Sequence, residues 1–140
     1  MNPYRPKSPA PIAIGMTRID TLLALYDGAI ERLRKAILFL QVGNQPQAMP
    51  LIAKVQLIIS ELAAGVRLDV DETLGTNYLR LYEFFVYKLS KVTIPDLQEV
   101  LKLMGILREG FLSIREEALA MERRGELAPA DSLQLLCETA

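Results

Sequence analysis

Two groupings of acidic side chains are the arrangements in this sequence best suited to move a proton or hold a cation. They are Glu116-Glu117 and, within one short stretch, Asp69, Asp71 and Glu72. Adjacent residues on a helix do not face one another, so Glu116 and Glu117 read as a solvated helix surface. Asp69, Asp71 and Glu72 read as carboxylates placed ahead of a helix, where the backbone dipole favours negative charge. The residues after Glu72 do not supply the ligand spacing of a calcium loop. The sequence contains no histidine. That removes phosphotransfer through histidine, di-iron centres built on Glu-x-x-His pairs and Ser-His or Cys-His nucleophile systems. The single cysteine, Cys137, has no partner in the chain, and a structural zinc site needs several more. No glycine-rich stretch leads into Lys-Ser or Lys-Thr, as a phosphate-cradling loop would. No catalytic, cofactor-binding or metal-binding residue is therefore assigned, and an enzyme is not expected.

Charge and hydropathy narrow the partners. The formal net charge is −1, whereas affinity for duplex nucleic acid is driven by a basic surplus. Nucleic acid is not expected as a partner. No apolar run approaches the ~20 residues of a bilayer span; Leu22 to Tyr26, for example, is ended by Asp27. Membrane insertion is not expected either. No charged n-region with an apolar h-region opens the sequence, and one unpaired cysteine suits a reducing compartment, so a cytoplasmic location is expected.

The elements that position these residues read as helices. Residues 1–16 contain Pro3, Pro6, Pro9 and Pro11, which remove backbone donors and fix φ, so an extended arm is expected. Residues 17–125 form the bundle. Thr17 and Asp20 have capping-box spacing. Ile19, Leu22, Leu23, Tyr26, Ile30, Leu33, Ile37 and Leu40 then recur at helical intervals until Gly43-Asn44 ends the run. A second helix runs from about Pro46 to Ala64. A third covers about 72–92, with Leu74, Tyr78, Leu81, Phe85 and Leu89 as its core face. Thr93, Pro95 and Asp96 open a fourth, expected to continue to about Arg124 along Leu97, Val100, Leu101, Met104, Leu107, Phe111, Ile114, Ala118 and Met121. Gly105 and Gly110 within it each cost about 1 kcal/mol against alanine and mark a bend or a close helix contact. Residues 126–140 form a tail in which Pro129 to Cys137 has the composition of one more short helix. No sustained apolar–polar alternation marks a strand. The expected fold is all-α: an antiparallel up-and-down four-helix bundle with an extended N-terminal arm and a short extra C-terminal helix.

A bundle helix needs one apolar stripe, and three of these helices carry more. Leu51, Val55, Ile58 and Leu62 form a second row on the second helix. Leu79, Tyr82 and Val86 do so on the third, and Leu103 and Ile106 lie off the main stripe of the fourth. The C-terminal helix, the arm or a twin subunit could cover these rows. Left open, they would form a groove for an amphipathic segment of another protein, with Tyr4 of the arm occupying it while the partner is absent.

Several stretches resemble one family. Asn2-Pro3-Tyr4 looks like an N-terminal motif of the FliS-type flagellar secretion chaperones, and Leu25-Tyr26-Asp27-Gly28-Ala29 matches their Leu-Tyr-Asp-Gly signature. Lys54, Gln56, Ile58-Ile59, Glu61-Leu62 and Leu68-Asp69 resemble their second-helix pattern. Asn77, Leu81 and Tyr82 resemble the third, and Phe111 falls where the family often has tryptophan. Thr17-Arg18-Ile19, Thr21 and Val92-Thr93 depart from the pattern, which marks a divergent member. The resemblance implies a cytosolic export chaperone. Such a protein binds the disordered C-terminal segment of flagellin, prevents premature polymerisation and presents its cargo to an export gate component. It implies for Tyr4 the role of a displaceable cap. The partner-binding residues expected on this reading are Tyr4, Leu51, Val55, Ile58, Leu62, Leu79, Tyr82, Val86, Leu103 and Ile106. The alternative is a self-associating helical adaptor with no flagellin ligand, and homodimerisation is open on either reading.

Overall fold

The computed structural model describes residues 18–125. Thr17, Tyr4 and the rest of the arm, together with the tail from residue 126, lie outside the described residues. Helix α1 spans Arg18–Gln41, α2 Gln45–Ala64, α3 Glu72–Ser90, α4 Ile94–Ser113 and α5 Arg115–Arg123. The described residues contain no strand.

Local chemistry sets most of these boundaries. Gly43 takes a left-handed φ of 76°, and the Asn44 N–H closes on the Phe39 carbonyl at 2.8 Å, which satisfies a terminal acceptor of α1. The Asp71 side chain accepts from the Leu74 N–H at 2.9 Å at the start of α3, and Thr93 accepts from the Asp96 N–H at the start of α4. The acidic stretch thus acts through helix capping and a local pair: Asp71 is the cap, and Asp69 bonds Arg67.

The fourth helix does not run to Arg124. It ends at Ser113, and Ile114, at φ −102° and ψ 1°, separates it from α5. The Ser113 hydroxyl donates to the Gly110 carbonyl at 2.7 Å, a local side-chain bond of the kind that competes with helix propagation. Neither Gly105 nor Gly110 makes a close helix contact, since a Cβ at either would meet nothing within 4 Å. The third helix is also shorter than expected. It closes at Ser90, and Val92 takes a φ of 53° in the turn to α4, a left-handed position that β-branched residues rarely occupy.

The four long helices form an antiparallel up-and-down bundle. α1 packs against α2 and α4, and α3 completes the ring between α2 and α4 with less extensive contact on both sides. Tyr26, Leu33, Val55, Ile59, Phe85, Leu89, Leu97, Val100 and Met104 are fully buried at its centre. An aromatic chain links three of the helices: Tyr26 to Phe111 at 5.4 Å between ring centroids, and Phe111 to Tyr78 at 6.1 Å. Leu119 brings α5 into the same core. No helix among the described residues is long and apolar enough to cross a membrane.

Candidate partner-binding surface

Ion pairs fix the register of α4 against its neighbours. On one flank Arg108 of α4 pairs with Asp27, and Arg115 at the start of α5 pairs with Asp20 at 2.6 Å, both across to α1. On the other flank the Lys88 ammonium reaches Asp96 at 2.9 Å and Glu99 at 2.8 Å, tying the end of α3 to the start of α4. These carboxylates push the Lys88 ammonium above its ordinary value, Glu99 more than Asp96. The Thr93 hydroxyl, and after it Lys88, holds the Asp96 carboxyl below its ordinary value. The Lys88 Nζ also lies over the Phe84 ring, 5.6 Å from its centre, close enough for the ring's π face to attract the charge.

Helical periodicity then orders the apolar side chains around that junction. Leu103 and Ile106 follow Glu99 by one and two turns, and Phe84 and Leu81 precede Lys88 by one and two turns. These four residues share the α3–α4 flank. Ile106 is 58% exposed, Phe84 is also exposed, and Leu81 and Leu103 are half-buried. Half-buried Leu79 and exposed Val86 lie on the opposite flank of α3, toward α2. α3 therefore carries partly open apolar surface along both of its sides.

The remaining expected residues are placed differently. Val55, Leu62 and Tyr82 are not on an open row; each is buried in the core. Val55 and Leu62 fall on the inward stripe of α2 with Ala48, Ile52 and Ile59. The Tyr82 hydroxyl meets that of Tyr26 at 2.8 Å, so its polar end is satisfied inside the protein. Leu51 and Ile58 are half-buried on the flank of α2 that faces α1, where the Ile58 Cδ1 would lie 3.6 Å from a Cβ at Gly28. Sequence periodicity missed Phe84, because one turn before a lysine it reads as part of the solvated face. It also missed Leu57, Leu38 and Val42, all exposed. Leu38 and Leu57 sit among apolar neighbours in sequence, which hide that they turn outward, and Val42 falls in the turn after α1.

The signature stretch of α1 builds the bundle itself. Tyr26 is the buried partner of Tyr82, Asp27 pairs with Arg108, and the Gly28 carbonyl accepts from Arg32 at 3.0 Å. Among the described residues no cluster of histidine, cysteine or carboxylate side chains could hold a metal ion.

Comparison with known proteins agrees with this arrangement. The family model described as flagellar protein FliS matches residues 14–118. No curated protein and no solved structure gave a significant match. The match takes in α1 through α4, with the buried Tyr26–Tyr82 bond and the Asp27–Arg108 pair between them; the chain belongs to the FliS family of flagellar chaperones.

Proposed function

We propose that this protein holds the disordered C-terminal segment of flagellin along the two apolar flanks of α3, prevents its premature polymerisation and delivers it to the flagellar export apparatus. The observation that carries this reading is the open apolar surface on both sides of one helix: Leu79 and Val86 toward α2, and Leu81, Phe84, Leu103 and Ile106 toward α4. An extended guest crossing α3 could use both flanks, laying amphipathic turns into each. Leu51 and Ile58 offer a further half-buried contact at the α1–α2 junction. Tyr4 would cap this surface until the guest arrives, and an export gate component would receive the loaded complex. The mechanism is mass action: while bound, flagellin has its assembly surface buried, at the cost of ordering a disordered segment.

Calorimetric titration with a C-terminal flagellin peptide tests the reading. Saturable binding with a negative heat-capacity change is expected, because apolar surface is buried. A protein that dimerises through Val86 and Ile106 and never takes up the peptide would instead be the self-associating adaptor.

A further inference from the structure

The junction of α1 and α4 is open near the α1–α2 turn. Arg34, Ile37, Leu38 and Gln41 of α1, with Gln98 and Leu101 of α4, line a surface cavity of about 330 Å³. Leu38 is 62% exposed. Arg34 has no hydrogen bond or ion pair among the described residues, in contrast to Arg108 on the same junction. The register carries the concavity further. Asp27 meets Arg108 and Arg34 lies beside Leu101, so Gly105 falls between those two levels. A Cβ at Gly105 would touch nothing within 4 Å, which leaves bare helix backbone as the groove floor up to the Asp27–Arg108 pair. Leu103 and Ile106 lie on the opposite flank of α4, so this groove is separate from the surface proposed for flagellin.

The sequence beyond α5 supplies a complementary occupant. Residues 126–140 contain Glu126, Asp131 and Glu138 with no lysine or arginine, and they space Leu133 and Leu136 as i and i+3. Residues 1–17 have the opposite character, with Arg5 and Lys7 and no carboxylate, and would meet Arg34 with like charge. Reach also suffices. Leu101 and Gly125 are at most about 36 Å apart along the helices, at ~1.5 Å per residue. With residues 126–132 extended and 133–136 helical the segment reaches about 30 Å, and the spacing between packed leucine backbones with any bend at Ile114 covers the rest of the path. We infer that residues 126–140 dock in the α1–α4 groove, setting Leu133 and Leu136 on Leu38 and Leu101 and the neighbouring carboxylates of Asp131 and Glu138 beside Arg34.

Cys137 is the only cysteine and can carry a nitroxide label without any substitution. In the full-length protein without flagellin, the methyl signals of Leu38 and Leu101 are expected to lose most of their intensity. Those of Leu22 and Leu68, at the other end of the bundle, should keep most of theirs, and reducing the label should restore the losses. Arg34→Glu should abolish both losses, and Leu38→Ser the loss at Leu101; both positions are exposed, and helix content should be unchanged. The inference is overturned if Leu38 and Leu101 keep their intensity, or if Leu103 and Ile106 lose more than they do. It is equally overturned if the loss survives Arg34→Glu, or if it arises only between labelled and unlabelled molecules in a mixture, which would make a second copy the occupant. No flagellin enters the experiment, so its failure leaves the proposed cargo site untouched.

Discussion

Tyr26 and Tyr82 bring two phenol groups into an apolar core, where an unmet hydroxyl would be expensive, and each hydroxyl answers the other. Tyr82→Phe removes one member of that bond and is expected to cost about 1–2 kcal/mol. Tyr26→Phe should cost a similar amount, and the double variant less than the sum, because residues sharing one bond are coupled. Urea denaturation of the three variants measures this directly. A second residue-scale prediction concerns charge. The Asp96 carboxyl is held below its ordinary value of 3.8 by Thr93 and Lys88, so its contribution is present above that value and lost as pH falls through the lower folded one. The Lys88 ammonium is pushed above its ordinary 10.5 by Glu99 and Asp96, so its contribution is full below 10.5 and disappears only at more alkaline pH. The link between α3 and α4 is therefore intact across the neutral range. Asp96→Asn should flatten the acid side of the stability–pH curve, as read from denaturation midpoints.

At the scale of the helix, glycines with opposite surroundings give opposite expectations. Gly110 lies inside α4 with open space where a Cβ would go. Gly110→Ala should therefore raise stability by up to about 1 kcal/mol through helix propensity alone. A Cβ at Gly75 would lie 2.9 Å from the Leu68 Cδ2 and 3.1 Å from the Val66 Cγ1, because the loop between α2 and α3 folds onto the first turn of α3. Gly75→Val must displace both side chains and should lower the thermal midpoint, which scanning calorimetry of both variants will show. The turn from α3 to α4 holds Val92 at a positive φ, and the Thr93 cap and the Lys88 pairs surround it on the neighbouring turns.

For the whole molecule, the unequal packing of the ring matters most. α1 is held on both sides by buried contacts and by the Asp27–Arg108 and Asp20–Arg115 pairs. α3, less extensively packed, presents Val86 on one flank and Phe84 on the other, with Ile106 across the second junction. Val86→Asp with Ile106→Asp should weaken the flagellin peptide at least tenfold, about 1.4 kcal/mol, while leaving the circular dichroism and thermal midpoint close to the parent. A large loss of stability in that variant would show that these side chains serve the core and not a guest.

The fold was legible in the sequence because helical periodicity, caps and breakers act over one or two turns. Ile19 to Leu40, the Gly43 stop and the Thr93 cap all follow from neighbours close in sequence. The likeness to FliS chaperones was legible for a related reason, since Tyr26, Asp27 and Gly28 keep their order wherever they sit in space. Periodicity also tells that a helix has two apolar rows, but not which row turns inward. That choice belongs to the neighbouring helices, and they put Val55, Leu62 and Tyr82 in the core while leaving Val86, Phe84 and Ile106 at the surface. The pairing of Asp27 with Arg108, 81 residues apart, and the groove beside Arg34 likewise exist only once α1 and α4 lie side by side, because contacts between helices depend on a relative placement that no local pattern encodes.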